Sequence, residues 1–196
     1  KDNLCDAPIK IHAPQPGGFG QFSTDMSRIA NSIIAPNEVV EMGLENVRRL
    51  AKTRLAPESL YAGNVTPDEA WQILAEDARA VLVDVRTDAE WNFVGFADLN
   101  ALDKKPVFIS WQRYPNMAEN TEFLADLSDA GVMPDMPVLF LCRSGARSAS
   151  AAQYCVAQGF SDCFNIIEGF EGDADGSRHR GQTSGWKMRA LPWVQG

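Results

Sequence analysis

The feature that constrains this chain most is a series of short, nearly continuous apolar runs separated by helical patterns. Residues 80–85 read AVLVDV, 106–110 PVFIS, 137–141 PVLFL and 164–167 FNII. Each falls far short of the roughly 20 residues a membrane span needs. None shows the polar alternation of a sheet with one wet face, so they read as strands buried on both sides. Helices must then supply the cover. Thr66-Pro67-Asp68-Glu69 is a helix start, with Thr as N-cap, Pro at N1 and Glu at N3, leading into residues 70–74. Residues 88–91 predict a brief helical turn, residues 118–130 a helix marked by Phe123, Leu124 and Leu127, and residues 149–157 a helix closed by Gly159. Alternating buried strands and helices predict an α/β domain with a largely parallel sheet.

The chain divides near residue 62. Residues 1–22 read as irregular around Ala13-Pro14-Gln15-Pro16-Gly17-Gly18. One helical stripe follows at Met26, Ile29, Ala30, Ile33 and Ile34, stopped by Pro36. A second, with Asn37 as N-cap, carries Val40, Leu44, Val47 and Ala51 and precedes Pro57. Two short helices bury little surface alone, so residues 1–62 form an extension that packs on the domain at 63–196 or on a protein partner. Of 196 residues, 45% are hydrophobic, enough for a core. With 18 Lys+Arg against 26 Asp+Glu the net charge is −8, which argues against a nucleic-acid or anionic-membrane binder. Residues 1–62 hold seven basic and seven acidic side chains, so the whole excess lies in 63–196.

Cys5, Cys142, Cys155 and Cys163 form no C-x-x-C pair, and His12 and His179 stand far apart. A zinc site and a disulfide framework are therefore not expected, and reduced thiols point to the cytoplasm. Lys1 stands where a start methionine would, which is compatible with a removed targeting segment.

One segment carries chemistry. Cys142-Arg143-Ser144-Gly145-Ala146-Arg147-Ser148 follows an apolar strand and precedes a helix. Ligands of open parallel sheets bind beyond the carboxyl ends of the strands, where this segment lies. A tight turn there gathers backbone N–H groups, and the helix N-terminus adds positive potential. Gly145 supplies conformational freedom, and Arg143 and Arg147 add permanent charges. All of these suit a thiolate, the nucleophilic form of cysteine. Cys155 and Cys163, one mid-helix and one just before a strand, read as packing residues. The five tryptophans sit at core-like positions and read the same way.

This segment resembles the active-site loop of single-domain rhodaneses, the thiosulfate-type sulfurtransferases. Val83-Asp84-Val85-Arg86 with Glu90-Trp91 is similar to an early signature of that family, and residues 164–170 to its late strand and turn. The resemblance covers about residues 63–196. It departs at Phe93-Val94-Gly95-Phe96-Ala97-Asp98-Leu99, where only Gly95 survives of a usual Gly-His-Ile-Pro-Gly-Ala-like stretch. Gly185-Trp186 and Leu191-Pro192-Trp193 look like the tail of a subgroup. The resemblance implies a three-layer domain around a mostly parallel five-stranded sheet.

It also implies a sulfurtransferase that passes a sulfane sulfur through a Cys142 persulfide, from a small anionic donor such as thiosulfate to cyanide, a thiol or a protein cysteine. The implied substrate cradle is Arg143, Ser144, Gly145, Ala146, Arg147 and Ser148, and no metal or organic cofactor is required. Asp84, Arg86 and Glu90 are expected to brace the loop, and His179 with its flanking arginines reads as solvated loop, with Arg178 or Arg180 at the cradle rim as the lesser alternative. Two other readings remain. One is a regulatory subunit docked through residues 1–62. The other is a cysteine phosphatase, against which Arg147 stands five positions after Cys142 instead of six.

Overall fold

The computed structural model describes residues 43–196. The stripe at residues 26–34, Pro36, Asn37, Val40, Cys5 and His12 lie outside the described residues. Helix α1 (Leu44–Thr53) starts after Gly43, which gives no side-chain cap. Its Val47 and Ala51 are fully buried, as their spacing predicts. Strand β1 (Gly63–Val65) runs beneath it, and a Cβ on Gly63 would stand 2.5 Å from Ala51 Cβ. The missing side chain is what lets the helix close on the strand. The part of the extension that is described therefore packs on its own domain.

Helix α2 (Pro67–Glu76) opens with the expected capping box between Thr66 and Glu69. Strand β2 (Val81–Asp84) leads to α3 (Asp88–Val94), which a second capping box starts between Thr87 and Glu90. Strand β3 (Phe96–Ala97), one 3-10 turn, strand β4 (Val107–Phe108) and the hairpin β5 (Gln112–Arg113)–β6 (Ala118–Glu119) follow. Helix α4 (Phe123–Asp129), strand β7 (Pro137–Leu141), helix α5 (Ala146–Ala157), strand β8 (Asp162–Ile166) and strand β9 (Trp193–Val194) complete the order.

Five strands form one sheet in the order β1-β8-β7-β2-β4, every neighbouring pair parallel. Strand parity sorts the core into two layers. Leu82, Leu139, Leu141, Phe164 and Ile166 pack with Val47 and Ala51 of α1 and with Ala70, Ile73 and Leu74 of α2. Val83, Val138, Phe140 and Cys163 pack with Phe123 and Leu127 of α4 and with Ala151, Ala152 and Cys155 of α5. The result is the expected helix–sheet–helix architecture. Cys142 continues the parity of Val138 and Phe140 and so leans toward α5.

Several expectations shift in detail. The fifth strand is β1, three residues with too little pattern to announce themselves. The span 118–130 is helical only from Phe123, because β6 and its turn use the residues before it. Helix α5 starts at Ala146 instead of 149, which puts Arg147 and Ser148 in its first turn. Cys163 lies inside β8. Of the five tryptophans only Trp186 is fully buried, its Nε1 donating to Pro192 O at 2.8 Å, whereas Trp193 is 38% exposed. Among the described residues no helix is long and apolar enough to cross a membrane.

Candidate active site

Cys142 sits where β7 ends and the turn into α5 begins. Gly145 adopts φ +97°, and a Cβ there would lie 2.3 Å from Ile167 O, so only glycine fits this corner. The turn brings Gly145 N to donate to Cys142 Sγ at 3.1 Å. Ser148 Oγ stands 3.1 Å from the same sulfur. A second glycine holds the loop from behind. Gly169, at φ +61°, packs so closely that a Cβ would lie 2.5 Å from Arg143 C and Ser144 N. The segment after it takes up the loop carbonyls: Phe170 N donates to Cys142 O at 2.8 Å and Glu171 N to Arg143 O at 3.0 Å. With its carbonyls engaged behind and its amides at a helix N-terminus, the loop presents positive potential on the sulfur side.

The bracing residues fall into two separate pairs. Asp84 and Arg86 are both fully buried and joined by several hydrogen bonds, the shortest 2.6 Å. Arg86 Nη2 also donates to Gly95 O at 2.8 Å, and its guanidinium lies 4.1 Å from the Phe170 ring centre. This pair therefore ties the end of β2 to the stretch where Gly95 survives and to the segment that clamps the loop. The other pair is Glu90 with Arg147, bidentate at 2.8 and 2.6 Å. Burial works against the charge on Glu90, but Arg147 and the Thr87 amide outweigh it and hold the carboxyl at about 2. Arg147 lies above its ordinary value, because Glu90 overcomes the cost of burial. Arg147 thus lines the site with both terminal nitrogens already engaged.

Arg143 differs. It is exposed and makes no side-chain hydrogen bond or ion pair among the described residues. It borders a cavity of about 620 Å³ together with Cys142, Ser144, Ala146 and Arg147. The same cavity is lined by Gln112, Tyr114 and Met117 of the β5–β6 hairpin, and by Glu171 and Arg180 of the long polar loop. Arg180 reaches this rim with Nη1 on Gly172 O, whereas Arg178 and His179 are exposed and do not border the cavity. The hairpin residues gave no warning in the sequence, since nothing local distinguishes them from an ordinary surface turn. Asn165, 2.7 Å from Ser148 Oγ, was also missed; its one signal is an amide inside the apolar run FNII.

The remaining described thiols have another fate. Cys155 and Cys163 are free and fully buried, and Cys163 is pushed well above the ordinary thiol range by its hydrogen bond with Cys155 and by burial. No cluster able to hold a metal ion occurs among the described residues.

The STR4 middle domain family matches residues 62–196. The chain belongs to that family. The crystal structure of Rv0390 from M. tuberculosis is similar at 46% identity and a TM-score of 0.65, over 70% of this chain and all of that one. Uncharacterized protein RC0915 of Rickettsia conorii is 38% identical over 130 residues, 66% of this chain and 95% of the relative. Thiosulfate sulfurtransferase GlpE of Vibrio cholerae is 31% identical over 102 residues, 52% of this chain and 79% of the relative. The STR4 middle domain therefore has a rhodanese-like fold here, with sulfurtransferases among its relatives.

Proposed function

We propose that the chain is a sulfurtransferase that carries sulfane sulfur as a persulfide on Cys142. The observation that carries this reading is the setting of Cys142 Sγ. It accepts from Gly145 N at 3.1 Å, lies 3.1 Å from Ser148 Oγ, and shares a cavity with the Arg143 guanidinium, which is unpaired among the described residues. The Cys142 thiolate attacks the outer sulfur of thiosulfate or a related donor. The donor S–S bond breaks, and sulfite leaves with the electron pair, its charge met by Arg143. The new terminal sulfur rests against the loop amides. An acceptor thiolate, a protein cysteine or cyanide then attacks that sulfur and releases the Cys142 thiolate. Sulfur changes carrier with no external oxidant, and this sequence of steps calls for no metal or organic cofactor.

Two features refine the reading. The cavity far exceeds the five heavy atoms of thiosulfate, and Tyr114 and Met117 on its wall are 62% and 40% exposed. That space suits an organic thiol or a cysteine on another protein as acceptor. Arg147 cannot serve as the free guanidinium of a phosphate cradle while Glu90 holds it bidentately, which disfavours phosphatase chemistry. Mass spectrometry after incubation with thiosulfate tests the reading. The expected result is a gain of about 32 Da on Cys142, one sulfur atom, absent in Cys142→Ser. Undiminished thiocyanate formation by Cys142→Ser refutes it.

A further inference from the structure

Asn165 is a polar side chain in the middle of a buried strand, 5% exposed, and the steps above do not use it. Its neighbours dictate which way its amide points. Asn165 Nδ2 donates to Asn64 Oδ1 at 2.8 Å, and the same oxygen accepts from Tyr61 Oη at 3.0 Å. Asn64 is oriented in turn by Arg54, the residue that caps the end of α1. Asn64 Nδ2 donates to Arg54 O at 2.9 Å, and its backbone carbonyl accepts from Arg54 Nη1 at 3.0 Å. Reversing either amide would set donor against donor or acceptor against acceptor. Asn165 Oδ1 therefore faces Ser148 Oγ, 2.7 Å away.

Ser148 has one hydroxyl proton and three acceptors around it. These are Asn165 Oδ1 at 2.7 Å, Cys142 Sγ at 3.1 Å and Gly145 O at 3.1 Å. The shortest contact assigns the proton to Asn165 while the sulfur is uncharged. Ser148 Oγ then offers the Cys142 S–H a lone pair. Once Cys142 Sγ is an anionic thiolate, it becomes the better acceptor, because hydrogen bonds to charged groups are the stronger ones. A turn about the Ser148 Cβ–Oγ bond moves the donor to the sulfur, and no covalent bond changes.

We propose that Asn165 is a positioning residue that parks the Ser148 hydroxyl and releases it to anionic sulfur, with α1 holding the arrangement through Arg54 and Asn64. This rests on the persulfide reading above for its role in turnover. It makes residues before 62, where the family match begins, part of the machinery around Cys142.

A double-mutant cycle on thiosulfate:cyanide turnover tests it. Asn165→Ala is expected to lower kcat about tenfold with KM within about twofold, a loss of transition-state stabilisation alone. In a Ser148→Ala background it is expected to add nothing. A loss that multiplies with that of Ser148→Ala overturns the proposal. Asn64→Leu, which leaves residue 165 intact, is expected to reproduce most of the kcat loss, and full activity there removes α1 from the scheme. One readout needs no turnover: the Asn165 side-chain amide signals in 1H–15N spectra should move between wild type and Ser148→Ala. If they stay, the proposal fails even in an active enzyme. If they move while wild type takes up no sulfur, the persulfide reading fails instead.

Discussion

Substituting Glu90 by Gln tests whether the Glu90–Arg147 pair holds the loop that follows Cys142. The change keeps the size of the side chain and removes its charge. Both partners are mostly buried, with 19% and 16% of their side chains exposed, so solvent screening is limited. The Glu90 carboxyl moves from 4.5 to about 2 on folding. At 1.36 kcal/mol per unit that difference is about 3 kcal/mol of stability. Because the folded value is the lower one, the contribution is complete above the ordinary carboxylate range. It drains away as pH falls from about 5 to about 2. Urea denaturation of wild type and Glu90→Gln should therefore give curves of stability against pH that lie about 3 kcal/mol apart at pH 7 and converge toward pH 2. Circular dichroism follows the unfolding, and unchanged m-values confirm a two-state comparison. Parallel curves over that window would show that Arg147 gains nothing from the carboxylate charge, and the pairing argument would be wrong.

Two other substitutions separate backbone geometry from charge. Gly145→Ala places a methyl 2.3 Å from Ile167 O at φ +97°, so thermal melts should show a loss of about 2 kcal/mol or more, with persulfide formation abolished. Arg143→Ala should leave the melting temperature unchanged, since the side chain is exposed and unpaired among the described residues. It should raise KM for thiosulfate about tenfold, the scale of one charge-assisted hydrogen bond.

The sequence shows the layers of this fold clearly because the strands are buried on both faces. In 137–141 every residue is both apolar and buried, so pattern and burial coincide. Both helix starts at Thr66 and Thr87 use the same capping chemistry, and the one at Thr66 was readable from spacing alone. What escaped is short or depends on partners far along the chain. Strand β1 has three residues, and its position is settled by pairing with β8, a hundred residues later. The start of α5 at Ala146 depends on Gly145 adopting a left-handed turn against Ile167, a contact no local pattern encodes. The candidate site divides in the same way. Cys142, Arg143 and Gly145 announce themselves by density in one loop. Gln112 and Tyr114 reach the cavity from the hairpin and Glu171 from the loop after β8, a loop in which the sequence offers only Arg178 or Arg180. Asp84 and Glu90 were both expected to brace the loop, but only the structure shows that each takes a different arginine.

The surplus of acid in residues 63–196 does not conflict with an anionic donor. Much of the acid near the site is already committed: Glu90 to Arg147, Asp84 to Arg86, and Glu168 to Arg189. At the cavity, Arg143 has no ion pair among the described residues, and Arg180 keeps further N–H groups beyond the one on Gly172 O. Surface charge farther than about 8 Å is screened at physiological salt, so a small anion at Cys142 responds to these groups before it responds to the net charge. Of the carboxylates lining the cavity, Glu171 has no ion pair among the described residues. In the proposed reaction the loop amides and Arg143 would meet the sulfur-bearing anion, and the hairpin and Glu171, which line the same cavity, would border the acceptor.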